Sequence, residues 1–222
     1  MNEQSLKPVI EKLEVIFSRL NHEYFNDELP KPIITVSPDI TKGAYGWCTG
    51  WKAWTDKAPK AISEMSPEEI KAAKDEGYYE INLCAEHIAR PFEEVVGTML
   101  HEMIHLFNIQ HGTQDTSRGG FYHNKKFKEA AEKHGLECEK TPKYGYSKTK
   151  LTDGAKAFIK YNLENTQFAL YRKPELKIGG TKKSASKSRK YVCPCCGAIV
   201  RATKEVNILC GDCEVSFELV EE

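Results

Sequence analysis

Residues 92–110, FEEVVGTMLHEMIHLFNIQ, place an HExxH motif inside the most apolar helical pattern of the chain. Apolar residues recur there at spacings of three and four, which predicts a largely buried helix. Residues four apart on a helix lie one turn above each other, so His101 and His105 can direct their imidazoles at one point. Ionisable groups are costly to bury unless a partner such as a metal ion compensates them. The segment therefore predicts a buried helix that carries a metal site.

Glu102 follows the first histidine directly and points about 100° further around the helix axis. Its carboxylate then lies beside the metal, where it can accept a proton from a metal-bound water. Because a bound zinc ion lowers the pKa of that water to about 7, hydroxide becomes available at neutral pH. We therefore expect Glu102 to be the general base of a hydrolase. The competing interpretation is that the motif forms the exposed polar edge of an amphipathic helix.

The residues alone do not decide which side chain is the third ligand of the predicted site. A catalytic zinc site usually has three protein ligands and one open position. His111 gives the spacing HExxHxxGxxH, except that Asn108 stands at the glycine position; Asn is the residue after glycine that best tolerates a positive φ. His123 follows a polar, glycine-containing loop. His134 lies near the end of the next predicted helix and is expected to be a surface residue.

The surroundings of these histidines resemble the SprT-like metallopeptidases. In that family the third zinc histidine stands in an H-x-x-x-aromatic motif that opens a helix, and residues 123–127 read HNKKF. Upstream, residues 21–25, NHEYF, and 28–30, ELP, are similar to the family's N-x-x-Y-F and L-P signature. The resemblance implies an α+β fold, a zincin-like metallopeptidase domain in which helices pack on a small sheet and the HExxH helix is buried.

The resemblance also implies roles for individual residues. It implies a zinc endopeptidase that hydrolyses peptide bonds with a zinc-bound water activated by Glu102. The implied ligands of the catalytic zinc are His101, His105 and His123. His111 then becomes a loop or helix-end residue. An oxyanion stabiliser is also needed, and Tyr122, beside the third histidine, is a guess without a geometric basis.

The C-terminal segment, residues 191–222, carries two C-x-x-C knuckles separated by thirteen residues. Each knuckle can place two sulfurs on one tetrahedral zinc, and a short hairpin between them makes a zinc ribbon, as many members of the family have. A redox role for a C-x-x-C motif does not need two paired knuckles. The predicted ligands are Cys193, Cys196, Cys210 and Cys213. Since no position remains for water, this second zinc is predicted to be structural, and Cys195 is the spare thiol.

The net charge of zero hides an uneven distribution along the 222 residues. Residues 172–190 carry eight Lys or Arg and one Glu without apolar periodicity, which predicts a basic, flexible linker. It separates a metallopeptidase domain over residues 1–171 from the ribbon over 191–222. The ribbon alone has two basic and six acidic residues. No window approaches 18 consecutive apolar residues, so we expect no membrane partner. We expect a cytoplasmic protein, in the host cytoplasm if the chain is viral, with cysteines as thiols or metal ligands.

The expected partners are a protein substrate and DNA. The resemblance implies proteins bound or crosslinked to DNA as the substrate class, and the basic linker can contact the phosphates of single-stranded or damaged DNA. Tyr45, Trp51 and Trp54 are either stacking faces for unpaired bases or core residues. The alternative function is a nucleic-acid-binding zinc-ribbon adaptor whose histidine metal site is catalytically silent. A third is a metal hydrolase that acts on something other than peptides.

The remaining patterns predict the order of elements. The predicted helices are 5–20, 66–77, 92–110 and 124–135, and the predicted strands are 32–37, 44–51, 78–86 and 168–173.

Overall fold

The computed structural model describes residues 4–38, 43–58, 60–163, 167–173 and 188–220. The chain divides into two compact units, Met1–Pro174 and Glu175–Glu222. Most of the predicted linker, residues 174–187, lies outside the described residues. None of the helices described is both long and apolar enough to cross a membrane.

The first unit is a mixed α+β structure, as the sequence predicted. Its helices are α1 (Lys7–Phe25), α2 (Pro67–Asp75), α3 (Phe92–Gln110), α4 (Lys125–Lys133) and α5 (Asp153–Asn162). Its strands are β1 (Ile33–Ser37), β2 (Gly46–Cys48), β3 (Glu80–Cys84), β4 (Thr116–Ser117), β5 (Tyr122–His123), β6 (Leu136–Thr141) and β7 (Gly145–Leu151).

The first sheet has the strand order β1-β3-β2. The central strand β3 is parallel to β1 and antiparallel to β2, and β2 therefore lies at an edge. Asn82 of β3 is fully buried, and its amide donates to the hydroxyls of Thr35 and Ser37, each at 2.8 Å. Because a buried amide without partners is costly, these bonds fix the registers of β1 and β3.

The hydrophobic core lies where α1 and α3 pack on each other and on this sheet. Both helices carry apolar residues at spacings of three and four, and α3 is buried along most of its length. The buried residues of α1 are Val9, Leu13, Ile16, Phe17, Leu20, Asn21 and Phe25. The core therefore fixes the helix that carries the HExxH motif.

The second sheet has the order β4-β5-β7-β6 and includes a hairpin of β6 and β7 that the sequence did not predict. Helix α5 follows it and begins after Thr152, whose side chain accepts a hydrogen bond from the amide of Ala155 at 3.2 Å. The prediction of a strand at 168–173 is wrong, because these residues form no strand. Phe168 is buried against Phe92, with ring centroids 6.3 Å apart, so packing on a helix takes the place of a strand ladder.

Over residues 188–220, the second unit forms a three-stranded antiparallel sheet of β8 (Arg189–Val192), β9 (Ile199–Ala202) and β10 (Glu218–Val220), in the order β10-β8-β9. Tyr191 of β8 is buried, and its hydroxyl accepts a hydrogen bond from the amide of Val206 at 3.2 Å. Strand β8 begins within the range that the sequence assigned to the linker.

The loop after α1 supplies a test of the fold. The amide nitrogen of the Asn21 side chain donates to the carbonyl of Leu29 at 3.0 Å, and its oxygen accepts from the Leu29 amide at 3.2 Å. We expect Asn21→Ala to lower the free energy of unfolding by about 2 kcal/mol, because two buried backbone groups lose their partner. Chemical denaturation measures this, and Asn162→Ala, at the exposed end of α5, is the control. A loss as small as that of the control would contradict the role of Asn21.

Candidate metal centre

Three imidazole rings of the first unit, those of His101, His105 and His123, converge on one point. Nε2 of His123 lies 3.1 Å from Nε2 of His101 and 3.1 Å from Nε2 of His105. Two nitrogens that each bind zinc at 2.0–2.1 Å in tetrahedral geometry are about 3.3 Å apart. The three rings therefore fit a zinc ion with one position left for another ligand. The predicted alternative, His111, is not part of this cluster.

The approach of His123 depends on a backbone contact with β7. The amide of His123 donates to the carbonyl of Tyr144 at 3.0 Å, and His123 pairs with Gly145. Gly145 has φ +65°, and a Cβ at this position would collide with the carbonyl oxygen of His123. Only glycine combines this conformation with so close an approach. The third histidine is thus placed by a long-range strand contact.

The H-x-x-x-aromatic motif has a direct structural role. Asn124 caps α4, since its side-chain oxygen accepts from the amides of Lys126 and Phe127 at 2.7 and 3.3 Å. The helix then places the fully buried ring of Phe127 between 4.6 and 4.7 Å from the rings of His101, His105 and His123. This apolar support holds the three imidazoles in place.

The outer nitrogens of two of the rings have partners. Nδ1 of His105 lies 2.7 Å from Oδ2 of Asp115, and the amide of Asn108 donates to the same oxygen at 2.9 Å. Nδ1 of His101 lies 3.1 Å from Oγ1 of Thr149. A carboxylate only accepts, so the proton of a neutral His105 ring sits on Nδ1 and its Nε2 is free for a metal. Such outer partners orient ligating histidines.

His123 differs from the other two rings because its buried Nδ1 has no partner in hydrogen-bonding geometry among the residues that the structure describes. The nearby backbone groups of Phe121 and Tyr144 favour a charged ring, but burial and the neighbouring His105 outweigh them and lower the pKa of His123 to about 4. Burial likewise holds the pKa of His101 well below its ordinary value. For His105, burial lowers the pKa, but the hydrogen bond to Asp115 and the nearby carboxylates raise it overall. Neutral imidazoles are the form that binds metal.

Glu102 is 5% exposed and lies between α3 and the edge strand β2. A Cβ on Gly46 would lie 3.2 Å from Oε1 of Glu102 and 2.7 Å from the carbonyl oxygen of Asn82, so glycine leaves the space that the carboxylate occupies. Burial raises the pKa of Glu102 to about 7. A carboxyl group with a pKa near neutrality can both accept and release a proton at physiological pH.

A cleft of about 1280 Å³ opens above these residues. Its floor is α3, and its walls come from β2, from β7 and from the loop that precedes β5. Pockets for small molecules usually measure about 300–1000 Å³, so this cleft suits a longer ligand. Tyr122, the guessed oxyanion stabiliser, does not line it, because its ring packs against Gly145 beneath the guanidinium of Arg118. Tyr144 does line it.

Two other histidines named from the sequence lie elsewhere. Helix α3 continues through Asn108, so the chain does not turn where the longer spacing would require it. His111 caps the helix, and its Nε2 lies 3.5 Å from a carboxylate oxygen of Glu28. His134 was expected at the surface, but it is partly buried, with its ring stacked 4.5 Å from that of Phe25.

Three aromatic residues near β2, namely Tyr45, Trp51 and Trp54, are exposed and do not belong to the core. Tyr45 is 50%, Trp51 66% and Trp54 44% exposed. The guanidinium of Arg90 lies 3.9 Å above the ring of Tyr45, and both residues line the cleft.

The four predicted cysteines of the second unit form another cluster. Their sulfurs lie within 4.8 Å of one another, and the sulfurs of Cys196 and Cys210 are 3.8 Å apart. The two knuckles repeat one pattern of backbone bonds: the amide of Gly197 donates to Cys193, and the amide of Glu214 donates to Cys210, at 2.9 and 2.8 Å. Four thiolates in this arrangement fit a closed, structural zinc site. Cys195 is exposed and is not one of the four.

Sequence reasoning missed Asp115, Asn108 as its partner, and Thr149. Asp115 stands in a polar loop and Thr149 in a strand with no apolar pattern, so neither carries a signal in the sequence. Asp115 reaches His105 and Asn108 only because the loop after α3 folds back onto the helix, and the sequence does not reveal that path.

The buried carboxyl of Glu102 gives a prediction for the metal-free protein. Its pKa is raised from 4.5 to about 7, so the ionised form destabilises the folded state. This cost is absent below the unfolded pKa and complete above the folded one, where it amounts to about 3 kcal/mol. We expect Glu102→Gln to unfold at higher denaturant than wild type at about pH 8, with a difference that vanishes towards about pH 4. Glu129→Gln, at an exposed position of α4, is the control. A difference independent of pH would contradict the assignment.

A family model described as the SprT-like family matches residues 13–145, more than half of the chain. No curated protein and no solved structure matches the chain. The matched range begins within α1 and contains the first sheet, the HExxH helix and all three clustered histidines, and the four-cysteine unit lies beyond it. Because the family is associated with zinc metallopeptidase-like proteins, the first unit is a metallopeptidase-like domain, and the chain belongs to the SprT-like family.

Proposed function

We propose that the chain is a zinc-dependent endopeptidase of the SprT-like type. The observation that carries this proposal is the convergence of three imidazole nitrogens beside the buried carboxylate of Glu102, at the floor of an open cleft. His101, His105 and His123 would hold the ion. A bound zinc ion supplies a Lewis acid and lowers the pKa of water to about 7.

Glu102 performs the proton transfers in the proposed reaction. Its carboxylate accepts the proton of the attacking water and later gives that proton to the leaving amine. Its burial keeps bulk water away from the carboxylate, and the raised pKa favours release of the proton as well as its capture. Asp115 holds the ring of His105 in the orientation that leaves Nε2 free.

The edge strand β2 supports a polypeptide as the substrate. Its neighbour Thr49 donates its amide to Glu80 of β3 at 2.9 Å. Backbone groups of successive residues alternate in direction, so Gly46 and Cys48 direct theirs away from β3, at the wall of the cleft. An extended peptide can bind such an edge as an added strand. This geometry favours a polypeptide substrate over a small molecule.

The four-cysteine unit would hold the second zinc in a structural role. A unit of this size buries little apolar surface, and a metal bound by four thiolates supplies the missing stabilisation. Cys193, Cys196, Cys210 and Cys213 would be the ligands.

We further propose that the substrates are proteins bound or crosslinked to DNA. Within the second unit, Lys190 of β8 lies directly opposite Arg201 of β9, so both side chains lie on one face. Two positive charges side by side attract a phosphate backbone. The basic stretch of residues 172–190 continues this charge along the sequence. Single-stranded or damaged DNA is the proposed nucleic-acid partner.

Cleavage tests the proposed chemistry. With a DNA-bound protein as substrate, we expect Glu102→Gln to lower kcat by about 10²–10⁴-fold, because general acid–base catalysis contributes that much. Glu129→Gln should cleave as wild type does. Product formation is followed by gel electrophoresis, with and without DNA. Equal DNA binding by all three proteins with cleavage by none would instead favour the adaptor function.

DNA binding is tested separately by fluorescence anisotropy with a single-stranded oligonucleotide. We expect Lys190→Ala combined with Arg201→Ala to weaken binding and to reduce the slope of log K against log salt concentration by about 1 to 2, one for each lost phosphate contact. Lys125→Ala combined with Lys133→Ala, on exposed positions of α4, is the charge-matched control. If wild type does not bind at low salt, the nucleic-acid part of the proposal is wrong and the peptidase part stands.

A further inference from the structure

Thr149 of β7 lies beside a metal-site histidine but outside the range that the family model matches. Its Oγ1 is 3.1 Å from Nδ1 of His101, whereas the family match ends at residue 145. Strand β7 beyond Gly145 is therefore a part of this chain that the matched pattern does not describe, although residues 147–151 line the cleft.

The packing of β7 fixes Thr149 relative to α3. The side chain of Leu151 lies 3.5 Å from the position of a Cβ on Gly97, one helical turn before His101. On its other side β7 pairs with β6, and Lys148 forms an ion pair with Glu139 at 2.6 Å. The hydroxyl of Thr149 is thus held by its strand and does not depend on His101 for its position.

The chemistry of the ring determines what the hydroxyl can do. A neutral imidazole carries one proton, on either Nδ1 or Nε2. Nε2 of His101 faces Nε2 of His123 at 3.1 Å, and it can bind a metal only if its lone pair is free. The proton must then sit on Nδ1, and Oγ1 of Thr149, which has two acceptor lone pairs, can receive it.

The three rings have unequal supports. His105 is held by the carboxylate of Asp115, whereas no group in the described part of the chain hydrogen-bonds to Nδ1 of His123. Thr149 is the group that contacts Nδ1 of His101. Outer partners of metal-bound histidines typically change metal affinity about 10–100-fold when they are removed.

We propose that Thr149 is a positioning residue that holds His101 in the tautomer and orientation required for metal binding. The inference rests on the proposed zinc site and adds a residue beyond the matched family range to it. The hydroxyl accepts the hydrogen bond from Nδ1–H and leaves Nε2 directed at the point where the three rings converge.

Zinc affinity of the full chain tests this without reference to cleavage. Zinc-loaded Thr149→Val, Thr149→Ser and wild type are titrated with a competing chelator, and the four-cysteine site serves as an internal reference in each protein. We expect the histidine site to lose zinc about 10-fold or more readily in Thr149→Val, and Thr149→Ser to restore the affinity, because serine keeps the hydroxyl. Ser147→Ala removes a hydroxyl from the same face of the same strand and should match wild type.

Two outcomes would overturn the proposal. One is an unchanged affinity in Thr149→Val, and the other is an equal loss in Thr149→Ser or Ser147→Ala, which would indicate a general effect on β7. If Thr149→Val does not fold, NMR of the His101 ring in zinc-loaded wild type decides the matter: a slowly exchanging proton on Nδ1 supports the proposal, and a rapidly exchanging one contradicts it. Wild type that binds zinc at the ribbon alone would instead refute the proposed metal site itself.

Discussion

The structure of the first unit is organised around three imidazole nitrogens, in which Nε2 of His123 lies 3.1 Å from Nε2 of His101 and 3.1 Å from Nε2 of His105. Burial keeps the rings of His101 and His123 neutral, so their lone pairs would repel one another unless a proton or a cation lies between them. A shared proton can bridge two nitrogens, whereas a metal ion satisfies all three. Two groups that are not themselves ligands hold this geometry. Phe127 packs against each ring, and the backbone of Gly145 contacts that of His123 closely.

The parts of the site that local sequence determines were predictable. His101, Glu102 and His105 share a helix whose apolar spacing is visible in the sequence, so their relative directions follow from 3.6 residues per turn. The choice of His123 over His111 did not follow from spacing, because it depends on where α3 ends and on a strand contact with Gly145. It came from the resemblance to a family motif, whose physical content is the cap of Asn124 and the buried ring of Phe127.

The missed hairpin of β6 and β7 has a physical explanation. Of its residues, Leu136, Gly145 and Leu151 are buried, at the ends of the strands, and most of the others are polar and partly or fully exposed. Strand prediction depends on alternating apolar residues, and this hairpin is instead stabilised by its ladder, by the pair Glu139–Lys148 and by packing on α3 and α4. Thr149 could not be assigned to the site from sequence for the same reason.

The two metal clusters differ in how much of the fold they need. Each cysteine knuckle is closed by backbone bonds within six residues, from Cys193 to Ala198 and from Cys210 to Val215, so short motifs are enough to recognise it. The histidine cluster draws on α3 and β5, and its outer partners Asp115 and Thr149 come from the loop before β4 and from β7. Its geometry therefore depends on the hydrophobic core, whereas the geometry of each cysteine knuckle depends on backbone bonds between neighbouring residues. A change that loosens the contact between β7 and α3 would alter the histidine site while leaving the four-cysteine site intact.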